Sequence, residues 1–255
     1  MRQYLATVRP RISAPATAFA AHDLLFDWSR FEIPEGEACI KNFNIIMPGT
    51  NGDSDSAENV LDFTFFIARS VNGAAPPSLG TQNGAVNNAA GIIGFASAST
   101  YLKGYTILTS ATMNTLSATQ AAQVANALQP GGVNIGNSKY PGNYNDSTSQ
   151  PGMQSFWIAA ISHGAFDFGT GVALNQASDQ AAVALSTTSE TTLTTDGTDA
   201  DDIFSVGDEL IAADGAAIGK VTKVVSNTSI KVDHVEAALE DDDEICVRNP
   251  IIFNF

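Results

Sequence analysis

The chain has little positive charge. Lysine and arginine together number 12 in 255 residues, against 27 aspartates and glutamates, so the formal net charge is −15. Charged residues make up only 15% of the chain, well below the ~25% of an ordinary soluble domain. An acidic protein is repelled by phosphate backbones and by anionic lipid surfaces. We therefore predict that the chain binds neither nucleic acid nor a membrane directly.

Cysteine and long apolar runs are also scarce. Cys39 and Cys246 stand far apart in sequence, which predicts buried free thiols and not a disulfide framework or a metal-ligand cluster. No stretch approaches the ~18 apolar residues of a membrane-spanning helix. The first 25 residues lack the apolar block and cleavage site of a secretory signal. These features predict synthesis and folding in a cytoplasm.

The known sequence signatures of catalysis are missing. There is no GxSxG elbow, no GxxxxGK[ST] loop and no dinucleotide fingerprint. The histidines, His22, His163 and His234, do not have the i, i+4 spacing of a helical metal site. Ser162, His163 and Asp167 come nearest to a catalytic group, and we interpret His163 as a hydrogen-bonded loop residue. We predict no enzymatic activity, no cofactor and no catalytic or metal-binding residues.

Clusters of acidic residues leave one alternative open. Carboxylates grouped in turns can bind Ca²⁺, although neither of two such clusters here matches the EF-hand loop. Residues 240–244 (EDDDE) carry the densest charge and are predicted to form an exposed loop. The two clusters are Asp53, Asp55 and Glu58, and Asp196, Asp199, Asp201 and Asp202. We interpret both clusters and residues 240–244 as solvated acids, with Ca²⁺ binding at the cluster of Asp53, Asp55 and Glu58 as the alternative.

The apolar residues that are present alternate with polar ones, as in β-strands. In residues 60–69 (VLDFTFFIAR), every second position from Leu61 to Ile67 is apolar, and Asp62 and Thr64 fall on the other face. Gly-, Pro- and Asn-rich turns separate such segments. The pattern predicts a mainly β protein that begins with a jelly-roll-like β-sandwich. Further strands are predicted from Leu24, at 43–47, at 105–109 and at 155–161.

One short helix is predicted within the sandwich. Ser117 and Gln120 form a capping-box pair, and the run AAQVANAL follows them. Pro130 and the two glycines after it would end the helix.

A change in composition predicts a domain boundary. Residues 186–200 are rich in Thr, Ser and Asp, as a linker is, and residues 190–255 hold 15 acids and 4 bases. Beyond the linker, four strand-like segments and the tail IIFNF predict a small β-barrel over 201–255. The sandwich would then occupy 21–185. The predicted barrel core consists of Ile203, Phe204, Val206, Leu210, Ile211, Ile218, Val221, Val224, Ile230, Val232 and Ile245.

The opening segment, residues 1–20, is predicted to form an extended arm. Its arginines stand around Pro10 and Pro15, and proline removes a backbone donor and restricts its neighbour. Such an arm either reaches an acidic neighbouring molecule or packs as a strand on its own domain.

Two stretches resemble structural proteins of tailed bacteriophages. Residues 204–232 (FSVGDELIAADGAAIGKVTKVVSNTSIKV) are similar to a small β module of such proteins, particularly in marine and cyanobacterial phages. Residues 9–40 resemble the start of virion proteins from such phages. The resemblance covers about a quarter of the chain. It implies a non-enzymatic virion component that contacts other virion proteins, and it carries over no site residues.

These features lead to one main hypothesis and two alternatives. The main hypothesis is a capsid decoration or cement protein of the virion, a homo-oligomer that contacts the major capsid protein. The alternatives are a tail, neck or fibre-attachment component and a glycan-binding adhesin. A glycan-binding platform would need exposed aromatic residues, for which Trp28 and Tyr101 are further candidates. The candidate partner contacts are Arg2, Arg9, Arg11, Tyr140 and Tyr144.

Overall fold

A computed structural model describes residues 4–12, 18–40, 43–47, 63–69, 74–84, 102–108, 113–115, 123–127, 133–136, 151–163, 168, 171–175, 188–197 and 200–254. These residues form a mainly β structure of antiparallel sheets, as the sequence predicts. The only helix in the described ranges is the single turn Ala200–Ile203. None of the described residues belongs to a helix long and apolar enough to cross a membrane.

The strands are as follows: β1 Thr7–Val8, β2 Leu24–Pro34, β3 Ala38–Ile40, β4 Phe43–Met47, β5 Phe63–Arg69, β6 Leu102–Leu108, β7 Met113–Thr115, β8 Gln123–Ala127, β9 Val133–Gly136, β10 Met153–Ser162, β11 Val172–Ala173, β12 Thr191–Thr194, β13 Glu209–Ala212, β14 Ala217–Ser226, β15 Ser229–Val232, β16 Glu244–Val247 and β17 Ile252–Asn254.

Two sheets share one core in a β-sandwich-like arrangement. The first has the strand order β1-β17-β4-β8-β7 and the second β2-β10-β5-β6, while β3 and β9 form a separate pair. Phe253 of β17 lies at the centre of the core, and its ring centroid is 5.6 Å from that of Phe26, 6.3 Å from Phe63 and 5.9 Å from Phe65. All four side chains are buried, so aromatic packing joins the two sheets.

Strand β5 is buried on both faces. Phe63, Phe65 and Ile67 lie in the main core, as the period-two pattern predicts. The opposite face is also covered, because Phe66 packs against a second apolar cluster that includes Leu79. The segment containing Leu79 is fixed over this face partly by two backbone hydrogen bonds with Leu24, Leu24 N to Gly84 O and Asn83 N to Leu24 O.

The predicted helix after Ser117 is wrong where the structure describes it. Residues 123–127 form β8, which pairs with β4 on one side and with β7 on the other. Within this strand, Ala125 lies opposite both Ile45 and Met113. Strand partners on both sides satisfy the backbone hydrogen bonds and override the helix propensity of an alanine-rich run. The predicted capping and terminating residues lie outside the described ranges.

The C-terminal sheet closes on itself as a six-stranded barrel, with the order β11-β16-β13-β14-β15-β12. Closure comes from a bridge between Leu174 and Thr195, flanked by the bonds Asn175 N to Thr194 O and Asp196 N to Ala173 O, both 2.9 Å. Of the predicted core, Val206 is wrong: it is 66% exposed because it lies in the turn before β13. Val224 is partly buried against the core. The other nine are buried: Ile203, Phe204, Leu210, Ile211, Ile218, Val221, Ile230, Val232 and Ile245.

The boundaries of the barrel differ from those predicted. Strand β12 lies inside the predicted linker 186–200, and β11 inside the predicted sandwich, yet both pair within the barrel. The tail does the reverse, because β17 leaves the barrel and pairs with β1 and β4 of the sandwich. The barrel is thus an insertion between β10 and β17, and the sandwich is completed by the last strand of the chain.

Candidate functional site

The first described segment packs on its own chain. Strand β1 pairs with β17, with Val8 opposite Phe253, and Ile12 donates its backbone N–H to the carbonyl of Arg248 at 2.7 Å. Ala6, Val8 and Ile12 are buried. The arm that reaches a neighbour is therefore corrected for residues 4–12: the alternative, a strand on its own domain, is what the structure contains.

Arg9 crosses from this segment to the barrel. Its guanidinium pairs with the carboxylate of Asp208, a fully buried residue that precedes β13. Its Nε and Nη2 also donate to the carbonyl of Asn249, at 3.3 and 3.2 Å. The second oxygen of Asp208 accepts the backbone N–H of Ser205 at 2.7 Å. A buried carboxylate needs such partners, because an unpaired buried charge is strongly unfavourable.

Arg11 makes a second, more exposed ion pair with the barrel. Its Nε and Nη2 donate to the two carboxylate oxygens of Glu209 at 2.6 and 3.0 Å. The hydrogen bond from Arg11 lowers the pKa of Glu209 against the opposing effect of burial. The stability from this pair is therefore present above the ordinary glutamate pKa and is lost as the pH falls through the lowered one. The Arg11 side chain is 63% exposed, so a contact with another molecule stays a prediction for this residue.

A groove opens beside these arginines, with a cavity volume of about 480 Å³. It lies between β1 and β2, which are the edge strands of the two sandwich sheets. Its position follows from the fold, because the edges of two stacked sheets leave a cleft where no further strand among the described residues covers them. The lining side chains that matter are Arg9, Arg11, Asp27, Trp28, Arg30 and Gln82.

A β-bulge places Asp27 and Trp28 at this groove. Ser29 pairs with Ile158 and Phe26 with Ala160, so two residues of β2 lie across from one residue of β10. A bulge of this kind bends the strand and changes the direction of its side chains. The Trp28 ring is partly buried against the Leu79 cluster.

Residues 77–82 hold the bulge in place through side-chain hydrogen bonds. Trp28 Nε1 donates to Pro77 O at 2.9 Å, and Asp27 Oδ1 accepts the backbone N–H of Leu79 at 3.2 Å. Gln82 Nε2 donates to Leu25 O at 2.7 Å and to Arg11 O at 3.2 Å. The groove is thus built by three segments that are distant in sequence.

The three histidines lie in two separate places in the structure. His163 hydrogen-bonds through Nε2 to the hydroxyl of Thr64, which confirms a hydrogen-bonded residue, and its ring meets that of His22 edge to face with centroids 6.1 Å apart. Asp167 lies outside the described ranges. His234 lies 2.7 Å from an Asp233 oxygen and 3.1 Å from a Glu236 oxygen, on the barrel.

The acidic groups are described only in part. No three His, Cys, Asp or Glu residues gather as a metal site among the residues with described positions. Residues 240–244 are largely exposed, as predicted, and form a turn that leads into β16 at Glu244, with Asp243 Oδ2 accepting the backbone N–H of Glu240 at 2.6 Å. Several predicted site residues lie outside the described ranges: Arg2, Tyr101, Tyr140, Tyr144, Asp53, Asp55, Glu58 and Asp199.

The two cysteines differ, and the prediction that both are buried is wrong for Cys39, which is exposed on β3. Burial in the barrel, with a smaller effect of Glu244, raises the pKa of the Cys246 thiol to about 11. At pH 8 only about one such thiol in a thousand is ionised.

We expect Cys246 to resist a thiol reagent while the barrel is folded, since the thiolate is the reactive species. In Cys39→Ser, labelling with a chromogenic disulfide at pH 8 is expected to proceed at the rate of barrel opening and to become immediate in denaturant. Fast labelling of the folded variant would contradict the buried position of Cys246.

We expect Asp208→Ala to lower the free energy of unfolding by about 2–4 kcal/mol, because it leaves Arg9 without its charge partner in a mostly buried position. Glu209→Gln is the matched control, since exposed pairs contribute roughly 0–1 kcal/mol. Urea unfolding followed by tryptophan fluorescence measures both. Equal losses for the two variants would contradict the structural role of Arg9 and Asp208.

Comparison with known proteins found no relative of this chain. No protein-family model matches it, and neither the curated proteins nor the solved structures contain a match.

Proposed function

We propose that this chain is a non-enzymatic structural protein of a tailed-phage virion, and that it decorates the capsid in contact with the major capsid protein and with copies of itself. The observation that carries the proposal is that strand pairing and ion pairs join parts of the chain that are distant in sequence. Its first described strand and its last strand are neighbours in one sheet, and the barrel inserted between them is held to the same segment by Arg9 and Arg11.

These contacts suit a protein that must stay folded on a particle. Here β17 lies between β1 and β4, so the last strand cannot leave without breaking two ladders of hydrogen bonds. The Phe253 side chain on this strand is fully buried among the aromatic residues of the core. Both features favour a structural role in a particle.

The distribution of charge supports the same role. Residues 70–166 contain only Lys103, Lys139 and Asp146 as charged groups, whereas residues 190–255 carry 15 acids and 4 bases. A charge-poor region can be covered by neighbouring subunits at a small desolvation cost. The acidic region keeps its charges in water, with the turn at 240–244 exposed. We infer that the sandwich contacts the shell and that the barrel projects from it.

The test is to restore the protein to particles that lack it. Phage particles produced without the gene should bind the purified chain and carry it through a sucrose gradient, with saturation at a fixed number per particle. Arg11→Ala, at the exposed ion pair, tests whether this part of the surface is used. Failure of the chain to sediment with capsids would contradict decoration, and binding to tails alone would support the tail alternative.

A further inference from the structure

The groove between β1 and β2 combines an aromatic residue with guanidinium and carboxylate groups. Trp28 and Asp27, the two bulge residues of β2, both line it. Arg9 and Arg11 line the groove from the N-terminal segment. Its volume of about 480 Å³ lies within the ~300–1,000 Å³ of known ligand sites.

Side chains that line the groove can make more hydrogen bonds than they make within the protein. A guanidinium has five N–H donors. The bonds of Arg11 to Glu209, and those of Arg9 to Asp208 and Asn249, run through Nε and Nη2. The Nη1 group of Arg11 takes no part in these bonds, whereas that of Arg9 lies beside the Gly207 turn of the barrel. Asp27 uses Oδ1 for Leu79 N and retains Oδ2 as an acceptor.

The charged groups in and around the groove leave no excess of positive charge. Three arginines line it, and their carboxylate partners are Asp208, Glu209 and Glu32. Asp27 adds a further negative charge to the lining. The local field therefore does not attract an anion such as phosphate or an acidic peptide, and the fixed donors and acceptors suit a neutral ligand.

We propose that this groove is a binding site for a neutral oligosaccharide. Each sugar hydroxyl both donates and accepts a hydrogen bond, so it can accept from a guanidinium and donate to a carboxylate. The apolar C–H face of a pyranose ring packs on an aromatic face such as that of Trp28. The proposal goes beyond the structural role, because it gives a decoration protein a ligand on the open side of its sandwich.

The test uses the full chain on an array of immobilised neutral and acidic oligosaccharides, followed by calorimetric titration with the neutral oligosaccharide that binds best. Trp28→Ala should weaken that binding about tenfold or more, since it removes the stacking surface. Asp27→Asn keeps the oxygen that accepts Leu79 N and should also weaken binding. Tyr4→Ala is the control, because Tyr4 is aromatic, 52% exposed and absent from the groove lining.

Each outcome decides the proposal. Neutral sugar binding that is lost in Asp27→Asn and kept in Tyr4→Ala supports it, even if Trp28→Ala fails to fold. Three results overturn it: no neutral oligosaccharide bound on the array, wild-type binding by Asp27→Asn and a folded Trp28→Ala, or binding of acidic glycans alone that disappears in high salt. None of these results affects capsid decoration, so the two proposals fail separately.

Discussion

Phe253→Ala is expected to lower the free energy of unfolding by about 3–5 kcal/mol, the range for large-to-small changes of a buried phenylalanine. Phe253 is fully buried and contacts the rings of Phe26, Phe63 and Phe65, so its removal leaves a cavity between the two sandwich sheets. Chemical denaturation monitored by circular dichroism measures the effect.

The control for this variant is Tyr4→Ala, an aromatic-to-alanine change near the other end of the chain. Tyr4 is 52% exposed, and we expect its replacement to change the unfolding free energy by less than about 0.5 kcal/mol. If Phe253→Ala were as mild as Tyr4→Ala, the last strand would not be part of the sandwich core, and the barrel would not be an insertion.

Val221→Asp is expected to unfold the barrel, with a loss of more than about 4 kcal/mol, because a carboxylate would be buried without a partner. Val221 is 1% exposed on β14 and lies opposite Val232, which is also buried. Loss of soluble expression, or loss of the cooperative thermal transition of the barrel, is the readout.

Strand β14 offers a matched control in Val225→Asp. Val225 is 46% exposed, so the same substitution four residues along the same strand should leave solubility and melting nearly unchanged. Ile230→Asp on β15 should behave like Val221→Asp, since Ile230 is fully buried. Equal tolerance of Val221→Asp and Val225→Asp would mean that the assigned faces of β14 are wrong.

Periodicity predicted the strands well where apolar residues alternate. The phase of 60–69 placed Phe63, Phe65 and Ile67 in one core, and nine of the residues predicted for the barrel core are buried. Val206 was misassigned because a turn interrupts the alternation before β13. The strand β8 was misassigned because an alanine-rich segment fits a helix as well as a strand, and pairing with β4 and β7 decides between them.

Local sequence patterns could not predict which strands pair with one another. The strand β12 is hidden in a Thr- and Ser-rich run, which has the composition of a linker but also suits an exposed strand. The tail looked like one more barrel strand, and only its pairing with β1 and β4 shows where it belongs. Partners separated by nearly the whole chain leave no signal in a single sequence.

The sequence identified single residues of the groove but did not predict the groove itself. Trp28 was a candidate for a glycan platform, and Arg9 and Arg11 were candidate partner contacts, but nothing joined them. The bulge at Asp27 and Trp28 has no counterpart in the hydrophobic pattern. The ion pair between Arg9 and Asp208 links positions 199 residues apart. The sequence leaves open whether the segment of Arg9 and Arg11 reaches a neighbour or packs on its own domain, and in the fold both arginines pair with the barrel.

The most direct test of the central claim is the copy number of this chain in purified virions of the tailed phage that we propose encodes it, measured by quantitative mass spectrometry against the major capsid protein. Capsid decoration predicts hundreds of copies, in a simple ratio to the major capsid protein. Copy numbers in the tens would place the chain in the tail or neck. Absence from the particles would contradict a virion role altogether.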